Sequence, residues 1–307
     1  MSTTTLRRGL GRWFRTVTTT STGPQLPLAY ELHEPSKSIT NSSPIIILHG
    51  LFGSKKNNRG ISKVLARDLG RPVYAIASLI LLSLRTKTLK IDLRNHGDSP
   101  HHLHHDYLSM ARDVEGFIFA HALKKSTIIG HSMGAKTAMM LALVCPALVH
   151  DIVSVDNAPV RNMFQSNFSK YIQGLKRIEE QNVQKQSEAD GILQKFVESL
   201  PVRQFLLGNF YRTEKGTFKS KVPLDILENS LENLRNFPYI DSDSLKFNNP
   251  ALFIRGTKSK YVTDDFLPEI EKLFPRYRLV DVVAGHWLIS ENPEEFRKAV
   301  VNFLSPA

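Results

Sequence analysis

The stretch Gly130-His131-Ser132-Met133-Gly134 decides the fold of this chain. Residues 126–129 before it have the short apolar pattern of a buried strand, and residues 135–143 after it favour a helix. A serine in a sharp turn between such a strand and helix sits on strained backbone, which lifts its hydroxyl clear of both elements. Ser132 is therefore the candidate nucleophile. The alternative is a chance glycine-rich turn in which the serine only caps the helix.

The rest of the chain alternates short apolar runs with helical patterns. Further buried strands are predicted at 44–48, 152–155, 251–254 and 277–283, and helices at 61–69, 106–123, 264–273 and 293–303. This alternation predicts an α/β fold with a mostly parallel central sheet and helices on both of its faces. Ligands of such sheets gather at the carboxyl ends of the strands.

One segment departs from this alternation. From about residue 160 to residue 247 the sequence is charged and favours helices, notably over 173–200 and 224–237, and it contains no buried-strand run. We interpret it as a helical cap inserted into the α/β domain and covering the site.

Composition is that of an ordinary globular chain, with 41% hydrophobic and 22% charged residues among 307. No apolar run approaches the roughly 20 residues of a transmembrane helix, so no transmembrane segment is predicted. The single cysteine, Cys145, excludes an internal disulfide and fits a reducing compartment.

The net charge of +11 is unevenly distributed. Four arginines, at positions 7, 8, 12 and 15, lie in a leader that has no acidic residue before Glu31 and is rich in serine and threonine. This composition is typical of a mitochondrial transit peptide, which we assign to residues 1–24. The alternative is a basic tail without a targeting role. No basic patch with interleaved aromatics appears elsewhere, so nucleic acid is not an expected partner.

A serine hydroxyl needs a base to take its proton, usually a histidine oriented by a carboxylate. Among 11 histidines, His286 is the candidate base because it follows the last predicted strand, at the expected edge of the sheet. His131 is expected to point away from the catalytic side of its turn. The histidines at 101, 102, 104 and 105 lie in one irregular loop without regularly spaced partners, so no metal site is predicted.

The carboxylate has two candidate positions. The loop after the strand at 251–254, residues 255–260, carries no acid. Asp264 and Asp265 follow, but they suit the N-terminus of a helix. Asp156, at the end of the strand at 152–155, is therefore the preferred acid.

The attacked carbonyl becomes an oxyanion that two N–H groups must stabilise. Met133, the residue after the nucleophile, supplies the first. The second comes from the loop after residues 48–50, and the sequence leaves Leu51 and Phe52 as alternatives.

With these residues in the chain order serine, aspartate, histidine, the sequence resembles the α/β-hydrolase superfamily from residue 25 to residue 307. The segments that carry the resemblance are His49 to Ser54, Asp92 to Ser99, Gly130 to Gly134 and Gly285 to Trp287. They are most similar to the mitochondrial esterase branch that contains the abhydrolase-domain 11 proteins of animals and the yeast ethanol acetyltransferases. Residues 134–139, 154–159 and 218–239 favour the yeast enzymes.

The resemblance implies a mitochondrial enzyme that transfers acetyl from acetyl-CoA to ethanol, giving ethyl acetate. Acetyl-CoA is then a substrate, and no cofactor is implied. Water in place of ethanol would make the same site a thioesterase, and ester with water would make it an esterase on short-chain esters. The alternatives are a general carboxylesterase or thioesterase of the abhydrolase-domain 11 type and a hydrolase-fold protein without activity.

The resemblance also exposes a departure. The strand at 71–76 should run straight into Asp92-Leu93-Arg94, yet residues 77–91 intervene. We hypothesise that these 15 residues come from a translated intron or a faulty gene model. The rival interpretation is that residues 88–91 take over the strand and residues 73–84 are displaced.

Overall fold

A computed structural model describes residues 24–33, 43–69, 73–74, 88–161, 167–238 and 245–305. The predicted transit peptide at 1–24 therefore lies outside the described residues, except for Pro24. No helix among the described residues has both the length and the apolarity to cross a bilayer.

Ten strands are described. They are β1 (Tyr30–His33), β2 (Ile45–Leu48), β3 (Val73–Tyr74), β4 (Thr88–Ile91), β5 (Ser126–His131), β6 (Val149–Val155), β7 (Phe210–Arg212), β8 (Phe218–Ser220), β9 (Ala251–Gly256) and β10 (Tyr277–Val282).

Eleven α-helices are described with them. They are α1 (Arg59–Leu69), α2 (Tyr107–Ala120), α3 (Met133–Val144), α4 (Phe168–Glu180), α5 (Gln186–Gln194), α6 (Leu200–Leu207), α7 (Leu224–Asn229), α8 (Leu231–Arg235), α9 (Leu267–Leu273), α10 (Leu288–Glu291) and α11 (Pro293–Leu304). Short 3₁₀ turns stand at Pro146–Leu148 and Asp264–Phe266.

The central sheet confirms the predicted α/β architecture. Its strands follow the order β1-β4-β2-β5-β6-β9-β10, and every neighbouring pair is parallel except β1 with β4. The antiparallel strand β1 was not predicted. Since β2, β5, β6 and β9 are largely buried, they appear in the sequence as mostly apolar runs.

The core lies on both faces of this sheet because successive side chains of a strand point to opposite faces. Ile46 and Leu48 pack into the larger apolar cluster, which includes α2, α3 and the helical segment after β6. Ile45 and Ile47 pack into the second cluster, with α1 and α11.

Strands β3 and β4 both pair with β2, β3 along its first half and β4 along its second. Val73 and Tyr74 pair with Ile45 and Ile46, whereas residues 89–91 pair with residues 46–48. Tyr74 and Leu89 thus stand at the same level of β2, although they are 15 residues apart in the chain. Residues 88–91 have taken the end of the strand, and residues 73–74 have kept its beginning. The intervening 75–87 lie outside the described residues.

The segment between β6 and β9 is more divided than the sequence predicted. The helix-favouring stretch 173–200 contains most of α4, all of α5 and the start of α6; the chain turns between α4 and α5 at Asn182, whose φ of 51° belongs to the left-handed region. The helix-favouring stretch 224–237 contains the two short helices α7 and α8, which are separated at Ser230. Strands β7 and β8 form a short antiparallel pair that was also not predicted.

Candidate active site

The turn between β5 and α3 holds Ser132 in a strained conformation. Its φ is 54° and its ψ is −114°, values that non-glycine residues rarely adopt. Two glycines make room for the turn: a Cβ at Gly130 would lie 2.1 Å from the carbonyl oxygen of Gly134, and one at Gly134 would lie 2.4 Å from that of Leu48. No other residue type fits either position, so these glycines fix the approach of β5, α3 and β2.

Three side chains from three strand ends meet at this turn. Ser132 Oγ lies 2.9 Å from His286 Nε2, and His286 Nδ1 lies 2.7 Å from Asp156 Oδ2. Because an ionised carboxylate can only accept, His286 donates its Nδ1–H to Asp156 and keeps Nε2 free to accept from the serine hydroxyl. The structure thus brings together the serine, histidine and aspartate that the sequence singled out.

Asp156, the acid that follows β6, is oriented by the end of β9 and by the acid-free loop after it. Ser259 Oγ donates to Asp156 Oδ2 at 2.5 Å, and the N–H of Gly256 donates to Oδ1 at 3.1 Å. Asp156 is fully buried, and these two donors with His286 satisfy both of its oxygens. Asp264 is instead exposed and receives a hydrogen bond from half-buried Arg255. The supporting role of Ser259 was missed, since its only signal in the sequence is a hydroxyl in a loop where an acid was sought.

Two aromatic rings confine the imidazole of His286. Tyr261 stacks on it, with ring centroids 3.8 Å apart and an interplanar angle of 17°. On another side His131 Nε2–H donates to the backbone carbonyl of His286 at 2.7 Å, with the two rings 5.1 Å apart. Burial lowers the pKa of His131 to about 4, so it stays neutral beside His286. The expectation that His131 points away from this side was therefore wrong.

A hydrogen bond made by Phe52 distinguishes the two candidates for the second oxyanion donor. The N–H of Phe52 donates to His96 Nε2 at 3.1 Å and is unavailable to a ligand. Within the described residues, neither Leu51 N–H nor Met133 N–H has an acceptor. Of the two alternatives, only the N–H of Leu51 is left to bind a ligand. Leu51 lines a cavity beside Ser132 together with Met133.

The loop that carries Leu51 is held by the turn after β4. His49 Nε2 accepts from the N–H of Leu93 at 3.0 Å, and Asp92 accepts from both the backbone N–H and the ammonium of Lys55 at 2.7 Å. Burial lowers the pKa of both His49 and His96, which keeps their acceptor nitrogens unprotonated. The motif at 92–99 thus positions the loop at 49–55.

Ser132 lies between two cavities. The larger, of about 490 Å³, is also lined by His286 and by apolar side chains that include Phe205 and Trp287. The smaller, of about 40 Å³, is lined by Leu51 and Met133 but not by His286. Helices of the segment between β6 and β9 contribute to both cavities.

The described residues hold no group of three or more histidine, cysteine, aspartate or glutamate side chains placed to bind a metal ion. The histidines at 101–105 therefore do not assemble into such a group. His105 is buried, and burial lowers its pKa to about 3.

The fold and this geometry agree with the sequence comparisons. A family model described as the alpha/beta hydrolase fold matches residues 43–293. The chain therefore belongs to the α/β-hydrolase family, as the motifs predicted.

Three similar proteins refine this assignment. A Saccharomyces cerevisiae protein named a probable alcohol acetyltransferase is 38% identical, covering 85% of this chain and 77% of its own. A Xenopus laevis protein named an sn-1-specific diacylglycerol lipase is 36% identical, covering 91% and 84%. The solved structure of a marine microorganism esterase superposes with a TM-score of 0.78 at 33% identity, covering 91% and 99%. These relatives match the branch indicated by the sequence.

Proposed function

We propose that this protein is a serine-dependent acyltransferase and esterase in which Ser132, His286 and Asp156 form the catalytic triad. The observation that carries the proposal is the continuous hydrogen-bonded line from Ser132 Oγ through His286 to Asp156 Oδ2, with links of 2.9 and 2.7 Å. Ser259 and Gly256 complete the surroundings of the carboxylate, so the imidazole is held in the tautomer that a general base requires.

The reaction follows from this arrangement in two halves. Ser132 gives its proton to His286 Nε2 while its oxygen attacks the acyl carbonyl, and the resulting oxyanion accepts from the N–H groups of Leu51 and Met133. His286 then returns the proton to the leaving thiol or alcohol. In the second half an alcohol or water attacks the acyl-serine, with His286 again taking and returning one proton. Losing one oxyanion donor would cost about 3 kcal/mol of transition-state stabilisation.

The acyl donor and acceptor that we propose are acetyl-CoA and ethanol, which give ethyl acetate. Sequence similarity to the yeast alcohol acetyltransferase supports this choice, as do the motifs at 134–139 and 154–159. Transfer to water would appear as thioesterase and esterase side activities of the same serine.

A fluorophosphonate probe tests the nucleophile. It labels the wild-type protein, and Ser132→Ala abolishes both labelling and turnover because the acyl-accepting oxygen is lost. Ser154→Ala is a matched control, since this buried serine lies on the neighbouring strand and donates to the Asn157 carbonyl. Labelling that survives in Ser132→Ala would overturn the proposed triad.

A product assay tests the acceptor. With acetyl-CoA and ethanol the wild-type protein forms ethyl acetate, and without ethanol it releases free acetate. Free acetate as the only product at saturating ethanol would refute the transferase activity and leave the hydrolase.

A glyceride or carboxylic ester hydrolase is the second candidate. It is favoured by the size of the larger cavity and by similarity to the protein named a diacylglycerol lipase. Release of fatty acid from diacylglycerol, faster than release of acetate from acetyl-CoA, would favour it.

We propose a mitochondrial location from the composition of residues 1–24. Fusing these residues to a fluorescent reporter should direct it to mitochondria, whereas a fusion with the four arginines changed to glutamine should stay outside. Equal distribution of the two fusions would contradict this assignment.

A further inference from the structure

The two cavities beside Ser132 differ in what they offer a reacting acyl group. The leaving group must lie next to His286, which protonates it, and only the larger cavity is lined by that histidine. The acyl chain is left with the smaller cavity, which is lined by Leu51 and Met133. The volume of this cavity is about 40 Å³, whereas a cavity needs roughly 10 to 15 Å³ to hold one water, so it has room for about three non-hydrogen atoms. It therefore suits a group of acetyl size.

One wall of this smaller cavity belongs to α8. Leu231, Leu234 and Arg235 all line it, and α8 is a helix of only five residues. So short a helix gains little stability from its own hydrogen bonds. Its position depends on what holds it from outside.

Lys136 is the residue that holds it. This lysine lies on α3, four residues after Ser132, and its side chain is fully buried. Its ammonium donates to the carbonyl of Val160 at 2.8 Å and to that of Arg235 at 2.9 Å. Val160 follows β6 where the chain leaves the sheet, and Arg235 ends α8. One lysine side chain thus fastens the start of the inserted segment and its helix α8 to the nucleophile helix.

Tyr107 supports the same attachment from α2. Its hydroxyl donates to the carbonyl of Leu234 at 2.7 Å, and the Lys136 nitrogen lies 5.5 Å from the centre of its ring. The hydrogen bonds from Tyr107 to Leu234 and from Lys136 to Arg235 are partly buried, and both end on the backbone of α8. Because buried donors and acceptors are costly to leave unpaired, they resist outward movement of this wall.

We infer that Lys136 is a specificity-determining residue: by fastening α8 across the smaller cavity, it restricts the acyl group to about two carbons. The inference rests on the proposed function, since it assigns the acyl site of the same serine. Lys136 does not touch the reacting atoms; it acts through the position of Leu234.

The test compares p-nitrophenyl esters of acetate, butyrate and hexanoate. Wild-type protein should prefer acetate over hexanoate in kcat/KM by at least tenfold. Lys136→Met removes both hydrogen bonds, and Leu234→Ala enlarges the cavity without disturbing a buried cation. Each should shift the ratio of acetate to hexanoate at least tenfold toward hexanoate. Lys136→Gln, which keeps an N–H donor on a side chain one atom shorter, should partly restore the wild-type ratio.

A control variant and the pattern of rates separate the possible results. Leu200→Ala removes an exposed leucine of the inserted segment that lines neither cavity, and it should keep the wild-type ratio. If Lys136→Met fails to fold, Leu234→Ala and Lys136→Gln still decide. Turnover with equal rates for all three esters, or variants that change every ester alike, would overturn the inference and leave the triad intact. Failure of every ester and of fluorophosphonate labelling would instead refute the proposed function, and the inference with it.

Discussion

At the scale of single residues, the carboxylate of Asp156 is held by several hydrogen bonds. It is itself fully buried and accepts from His286, Ser259 and Gly256. These three donors have different weights in the proposed mechanism. The bond to His286 sets the tautomer of the base, whereas the bond from Ser259 only orients the acid.

We therefore expect Asp156→Asn and Ser259→Ala to differ by orders of magnitude. Asp156→Asn should lower kcat about 10⁴-fold, because an amide favours the wrong tautomer of the imidazole. Ser259→Ala removes one neutral donor, worth about 1 kcal/mol, and should lower kcat roughly tenfold or less. Hydrolysis of p-nitrophenyl acetate measures both. Loss of activity in Ser259→Ala equal to that in Asp156→Asn would show that the two side chains act as one unit.

Some of the site residues could be predicted from the sequence, and others could not. Ser132, Asp156 and His286 could be predicted to meet because the carboxyl ends of parallel strands lie at one edge of a sheet. The choice between Leu51 and Phe52 could not be made, since it depends on a hydrogen bond from Phe52 to His96, 44 positions away. Distant pairs of this kind leave no periodic signal in the chain.

At the scale of elements, the buried strands of the sheet were predictable, whereas the bounds of the inserted helices were not. Buried strands such as β2 and β9 are marked by continuous apolar runs. The division between α4 and α5 depends on Asn182 adopting a positive φ, which asparagine tolerates but does not require. The antiparallel strand β1 is only four residues long and lies at the sheet edge, so its pattern was too short to recognise.

The divided strand beside β2 leads to a prediction about residues 77–91. Their deletion joins Ile76 to Asp92 and places residues 75 and 76 opposite residues 47 and 48, in the register that residues 90 and 91 hold now. The deletion variant should have one continuous strand and no long excursion within it. We expect it to be more stable by about 1 to 2 kcal/mol, which is roughly 1.5 to 3 °C in Tm for a chain of this length.

Thermal unfolding of the two proteins measures this effect. A variant in which residues 77–87 are replaced by glycine and serine at constant length is the control, because it removes the apolar character without joining the strand. A deletion variant that melts below the wild-type protein would contradict the shared register. Sequencing the mature transcript provides an independent check, since the intron hypothesis requires that codons 77–91 be absent from it.

At the scale of the whole molecule, Lys136 connects α3 to the inserted segment. It also makes the free energy of unfolding depend on pH. Burial lowers the pKa of Lys136 from 10.5 to about 7. The groups that face it are the ring of Tyr107 and the carbonyls of Val160 and Arg235; burial raises the pKa of Tyr107, which therefore stays neutral. Within the described part of the chain, no charged partner offsets the burial of this ammonium.

The sign of the pH dependence follows from these values. Between pH 7 and pH 10.5 the unfolded chain holds a proton on Lys136 that the folded chain has lost, so the free energy of unfolding rises with pH, by up to about 1.4 kcal/mol per unit. Below pH 7 both states are protonated and the dependence ends. This contribution to stability is therefore greatest above pH 10.5 and disappears as the pH falls to 7.

Denaturant unfolding of wild-type protein and Lys136→Met at pH 7 and pH 8.5 isolates this effect, because all other groups titrate alike in both. The free energy of unfolding of the wild-type protein, relative to that of the variant, should rise by about 1 to 2 kcal/mol over this interval. Lys63→Met, at an exposed position of α1, serves as the control and should show no such change. A difference between wild-type protein and Lys136→Met that is independent of pH would show that the buried ammonium keeps its ordinary pKa, and that the carbonyls of Val160 and Arg235 stabilise its charge as well as water does.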